Sequence, residues 1–121
     1  MTIPLVICDD SAMSRKMVKR SLPEEWDVEI TFATQGEEAM EALREGKGEF
    51  LFLDLTMPVM DGYQVLEAVK REEINTIVIV ISADIQPEAQ QRVADLGALA
   101  FIKKPIDNAK LKATLKKYGL L

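Results

Sequence analysis

Five side chains able to do chemistry stand directly behind short apolar runs. Asp9 and Asp10 follow Ile3 to Cys8, Asp54 follows Phe50 to Leu53, Ser82 follows Ile77 to Ile81, and Lys104, between Lys103 and Pro105, follows Ala98 to Ile102. If those runs are strands of one open parallel sheet, all five sit outside its carboxyl ends, where such sheets bind ligands. Carboxylates gathered there would repel one another, and one would stay protonated unless a cation neutralised the group. A hard divalent ion is implied. Magnesium suits a small site with oxygen donors only, held by one or two carboxylates, a carbonyl, waters and a substrate phosphate; calcium is disfavoured because the spacing is not that of a helix-loop-helix calcium loop.

Other chemistries are excluded by what the chain lacks. With no histidine and a single cysteine, Cys8, it has no Ser-His-Asp or Cys-His nucleophile, no zinc site of the usual ligands and no internal disulfide. Each candidate also has a plainer reading. Asp9 and Asp10 could cap a helix, Ser82 could be a turn residue, Lys103 a surface lysine and Lys104 a structural counter-ion. Asp54 resists such a reading, because it ends the run Phe50-Leu51-Phe52-Leu53, where burial of an unpaired carboxylate costs kilocalories.

The positioning elements follow from the spacing. Five apolar runs, the four above and Val28 to Ala33, are each followed by a segment long enough for a helix, so the chain reads as repeated βα units. Four runs are nearly continuous in apolar residues, as for parallel strands covered on both faces. In the second, Val28, Ile30 and Phe32 alternate with Glu29 and Thr31, which predicts a sheet edge. A first helix capped by Asp10 or Ser11 should turn Met13, Met17 and Val18 inward and stop before Pro23. Thr34 and Glu37 have capping-box spacing for a second, which buries Ala39, Met40 and Leu43 and ends at Gly46. The third should bury Val65, Leu66 and Val69. Pro87 opens the fourth, with Ala89, Val93 and Leu96 on one face and Gly97 at its end. The fifth opens near Asp107 or Asn108 and buries Leu111, Leu115 and Tyr118. Five units in 121 residues make an open doubly wound sheet, since a closed eightfold barrel needs roughly 200 residues or more.

Fifteen basic and twenty acidic residues leave a net charge of −5, which disfavours nucleic acid as a partner. No apolar run is long enough for a membrane span or a signal peptide, so the expectation is a single cytoplasmic domain over residues 1–121. Residues 103–117 nevertheless hold six lysines and one acid, either a solvated helix face or a docking surface for an acidic partner.

Taken as a set, these positions and the segment Asp54-Leu55-Thr56-Met57-Pro58-Val59-Met60-Asp61-Gly62 resemble the receiver domains of two-component response regulators. The resemblance covers the whole chain. It rests on the acid pair after strand one, Asp followed by Met-Pro-x-Met-Asp-Gly after strand three, a hydroxyl and a small residue (Ser82, Ala83) after strand four, and Lys-Pro after strand five. It implies a flavodoxin-like α/β fold, a five-stranded parallel sheet of order 2-1-3-4-5 with five helices. It also implies a phosphoacceptor role for Asp54, with Mg2+ held by Asp9, Asp10, Asp54 and the backbone carbonyl of Thr56. Lys104, aimed by a cis peptide before Pro105, would pair with a phosphoryl oxygen, and Ser82 would donate a hydrogen bond to the phosphoryl group. The fourth helix would shift with that loop. A strand-five aromatic would change rotamer beneath it, here Phe101 where many members have Tyr. Thr56 and Asp84 fall where family members tune the lifetime of the acyl phosphate.

The implied partners are a sensor histidine kinase, a downstream target or attached output domain, and a phosphatase. The chain can only receive phosphate from a histidine, having none itself. It also resembles the N-terminal receiver of longer chemotaxis proteins that carry a CheC-like phosphatase domain. Two other readings are a pseudo-receiver that binds proteins without phosphorylation, and a Mg2+-dependent phosphohydrolase with an aspartyl-phosphate intermediate. The hydrolase is disfavoured because its second Asp, two residues on, is here Thr56.

Overall fold

The structure, a computed structural model, describes residues 2–84 and 86–121. The order along the chain is β1 (Ile3–Cys8), α1 (Ala12–Ser21), β2 (Val28–Ala33), α2 (Gly36–Arg44), β3 (Phe50–Leu53), α3 (Gly62–Arg71), β4 (Ile77–Ser82), α4 (Pro87–Asp95), β5 (Ala100–Lys103) and α5 (Asn108–Lys117). The strands form one parallel sheet in the order β2-β1-β3-β4-β5. This is the flavodoxin-like arrangement, with β2 at an edge as its alternating pattern predicts.

Alternation of side chains along each strand divides the interior in two. Leu5, Ile7, Phe50, Phe52, Ile79 and Ile81 pack with Val18 of α1 and Leu111 and Leu115 of α5. Val6, Cys8, Leu51, Leu53, Val78 and Val80 face α2, α3 and α4. The three central strands thus bury apolar side chains on both faces, each worth about 1.5–3 kcal/mol when fully enclosed. β5 is covered less completely than its apolar run suggests: it is the other edge, with Ala100 and Phe101 half-buried.

Several local expectations need correction. Met13 is 66% exposed, because it lies in the first turn of α1, which overhangs the end of β1; Val18 is buried and Met17 packs at the core's margin. Phe32, near the end of the outermost strand, is 47% exposed. The second helix is capped one residue later than its Thr34–Glu37 spacing indicates. Extended Gln35 is the N-cap and accepts from the Glu37 N–H, while the Thr34 N–H and hydroxyl both donate to Glu38. Tyr118 ends α5 and is 41% exposed. Strand β4 runs on to Ser82, and β5 begins at Ala100 rather than Ala98.

Candidate functional site

Each reactive side chain is delivered by the end of a strand. The peptide amides of Asp9 and Asp54 continue the ladder, donating to the Ala33 and Cys8 carbonyls, so both acids are fixed in register at the sheet's carboxyl rim. Asp9 and Asp54 are buried and Asp10 is exposed. One carboxylate oxygen from each of the three lies within 4.8 Å of the others. Adjacent oxygens of an octahedral magnesium shell lie roughly 3 Å apart and opposite ones about 4.2 Å, given metal–oxygen distances near 2.1 Å. The all-oxygen chemistry of this donor set fits the ion.

Lys104 joins the cluster from directly after β5. Its ammonium donates to Asp9 Oδ2 at 2.8 Å, lies 3.4 Å from Asp54 Oδ1, and reaches the Ser14 hydroxyl at 3.4 Å. The other Asp9 oxygen accepts from the Ser11 N–H at 2.9 Å. The Lys104–Pro105 peptide is cis, as the resemblance implies. Burial, then the charge of Asp9, raises the Asp54 carboxyl above its ordinary pKa, with Lys104 only partly opposing them. For Lys104 burial works downward, but the bond to Asp9 and the neighbouring carboxylates outweigh it and leave the ammonium raised.

The loop after β3 is held close to the strand ends. A Cβ added at Gly62 would collide with the Asp54 carbonyl oxygen and come within 2.8 Å of Leu55 Cα, so only glycine lets α3 start here. The Gly62 N–H donates to the Leu55 carbonyl, and Asp61 and Gln64 close a reciprocal capping box. Thr56, exposed, lies inside this loop.

A family model for the response regulator receiver domain matches residues 5–116. The chain belongs to that family. The receiver domain is 40% identical over 104 residues to a protein-glutamate methylesterase/protein-glutamine glutaminase 3 of Geobacter sulfurreducens, an alignment covering 85% of this chain and 28% of that protein. Among solved structures it is similar to the receiver domain of the putative response regulator NarL of Mycobacterium tuberculosis, with a TM-score of 0.85, 31% identity, and 98% and 97% of the two chains covered. It is likewise similar to chemotaxis protein CheY4 of Vibrio cholerae, with a TM-score of 0.83, 27% identity, and 97% and 98% covered. The curated relatives are longer proteins, of which the receiver domain spans between 7% and 33%. Such domains work in two-component and chemotaxis signalling.

The receiver domain gathers Asp9, Asp10, Asp54 and Lys104 at one point, as the sequence predicts. Ser82, buried at the end of β4, accepts from the Asp84 N–H at 3.1 Å, while neighbouring Lys103 is exposed. Phe101 is half-buried on the face shared with α4 and packs against the core there. Ser11, one of the two expected caps, caps α1 by accepting from the Ser14 N–H. Sequence reasoning gave no role to two residues beside the acids: Ser14 touches Lys104, and Arg15 donates to the Asp9 carbonyl at 2.8 Å. Their signal was position alone, one helical turn beyond the acid pair. Cys8 lies under the site with its sulfur 3.4 Å from that of Met57.

Proposed function

We propose that residues 1–121 form a phosphoacceptor receiver domain in which Asp54, assisted by Mg2+, takes a phosphoryl group from a sensor histidine kinase and thereby changes the surface of α4, β5 and α5. The observation that carries this reading is the convergence of three carboxylates and one ammonium on a single point of the sheet's carboxyl rim.

Asp9, Asp10, Asp54 and the Thr56 carbonyl would hold the metal. When bound, the ion offsets negative charge on the acceptor and on the incoming phosphoryl group. An Asp54 carboxylate oxygen attacks phosphorus, forming an O–P bond as the N–P bond of the donor phosphohistidine breaks, and the histidine leaves carrying the electron pair. Lys104, already paired with Asp54, is placed to accept the charge of a phosphoryl oxygen. The Ser82 oxygen accepts from Asp84, and its hydroxyl proton donates to the new group. That movement pulls the β4–α4 loop.

Helix α4 is suited to follow. Its N-cap, Gln86, makes no side-chain capping bond, and among the described residues only Ala89 and Val93 of this helix are buried. Arg92 links it sideways to α3, stacking over the Tyr63 ring at 3.9 Å and lying 3.7 Å from Glu67. Phe101 lines the same face and would repack as the helix shifts, without the hydroxyl of a tyrosine. The readout passes to a downstream protein or an attached output domain, and a phosphatase resets the site, all in the cytoplasm. The domain itself carries a signal rather than turning over a substrate. Among the described residues no helix is long and apolar enough to cross a membrane.

Incubation with acetyl phosphate and Mg2+ tests the reading. Stoichiometric phosphorylation, detected by mass and lost in Asp54→Asn, is expected. No phosphorylation would favour a pseudo-receiver, and sustained turnover of a phosphate ester would favour a hydrolase.

A further inference from the structure

The acid pair sits in a turn whose two peptides are pinned by different parts of the molecule. On the near side, the Asp9 N–H donates to the Ala33 carbonyl at the end of β2. On the far side, the peptide joining Asp9 to Asp10 presents its carbonyl to Arg15 Nη1 at 2.8 Å. Arg15 is the fourth residue of α1, and helical side chains lean toward the helix N-terminus, so its guanidinium folds back over the first turn. A cation there opposes the helix dipole, and α1 has no acidic residue in its first turn to offset it. Among the described residues, no ion pair within 4.0 Å joins Arg15 to a carboxylate. Its contact with the turn is a charge-assisted bond to a backbone oxygen, from a half-buried side chain.

We infer that Arg15 is a positioning residue for the metal site: by holding the Asp9–Asp10 peptide it fixes the relative orientation of the two carboxylates that the ion must share. The inference rests on the reading that these acids bind Mg2+. Its physical content is selectivity. Magnesium demands a near-ideal octahedron at short distances, whereas calcium accepts irregular shells at longer ones. A turn that rocks therefore penalises the smaller ion more, and outer groups that orient ligands commonly account for about 10–100-fold in metal affinity. A merely structural loss would weaken both ions alike or neither.

Calorimetric titration of MgCl2 and CaCl2 into the wild-type chain, Arg15→Met and Arg15→Lys decides the matter, with circular dichroism confirming the fold of each. For Arg15→Met, Mg2+ affinity is expected to fall about tenfold and Ca2+ affinity less than about threefold. Arg15→Lys, which keeps a charged donor of similar reach, is expected to recover most of the Mg2+ affinity and remains informative if the Met variant folds poorly. Unchanged Mg2+ binding in Arg15→Met, an equal loss for both ions, or no recovery in the lysine variant overturns the role of Arg15. Failure of the wild type to bind Mg2+ would instead overturn the metal site itself.

Discussion

The Lys104 ammonium lies 2.8 Å from Asp9 Oδ2, joining residues 95 positions apart in the chain. The bond ties the first strand to the loop after the last one and places a permanent cation against a buried acid. Removing it leaves the buried Asp9 and Asp54 carboxylates facing each other. Breaking a fully buried pair costs roughly 3–5 kcal/mol, and the quarter-exposed Lys104 side chain reduces that to about 1–2 kcal/mol. Lys104→Ala is therefore expected to lower stability in metal-free buffer, with Mg2+ restoring more stability to the variant than it adds to the wild type. Phosphate uptake stays measurable while the conformational response is blunted. Urea unfolding with and without MgCl2 provides the check.

Asp54 sets a pH dependence of opposite sign to that of most carboxylates. Burial, then the Asp9 charge, holds its folded-state pKa above the ordinary 3.8. A raised folded pKa contributes stability that is fully present below the unfolded value and is lost as pH rises through the folded one. At neutral pH without metal the ionised group is thus a liability. Asp54→Asn, neutral throughout, should melt about 2–5 °C higher than the wild type in EDTA at pH 7, and the gap should close as pH falls below 4. A lower melting temperature at pH 7 would contradict this.

The strand ends were legible because their chemistry is local. Asp9 and Asp54 follow apolar runs that suit central strands, and side by side in a parallel sheet such strands bring their carboxyl-end acids together; the run before Lys104 reads the same way, yet β5 is an edge. Caps were less so: Gln35 rather than Thr34 caps α2 because the extended backbone at Gln35 lets its own side chain reach the Glu37 N–H. Exposure of Met13 and Tyr118 depends on where each helix overhangs the sheet, which periodicity does not encode. Arg15 escaped notice since a basic residue in the second turn of a helix looks like surface until its target carbonyl is located.

Under the proposed function Ser82 would couple the site to α4, and its oxygen already accepts from the Asp84 N–H in the loop between β4 and that helix. Ser82→Ala should leave phosphorylation of Asp54 within about threefold of wild type, in line with the loss of a single hydrogen bond. It should also abolish the phosphorylation-dependent change in amide exchange across Pro87–Asp95. Persistence of that change would show that the helix is moved by another route.

Cys8 should be chemically silent. Burial raises its thiol to about 12, with the charges of Asp9 and Asp54 adding to the effect. At pH 8 in the native state, iodoacetamide is expected to modify it no faster than the chain unfolds, whereas full denaturation should give immediate labelling. Rapid native labelling, followed by mass, would place the thiol outside the core.

Strand β2 and helix α2 supply none of the five reactive side chains, yet the first amide of α2 touches the loop that does. The Gly36 N–H donates to the Met60 carbonyl, and a Cβ at Gly36 would stand 2.5 Å from that oxygen. The backbone resonance of Gly36 is consequently a native reporter. It needs no dye and no substitution near Asp54, and it lies on the half of the domain that does no chemistry.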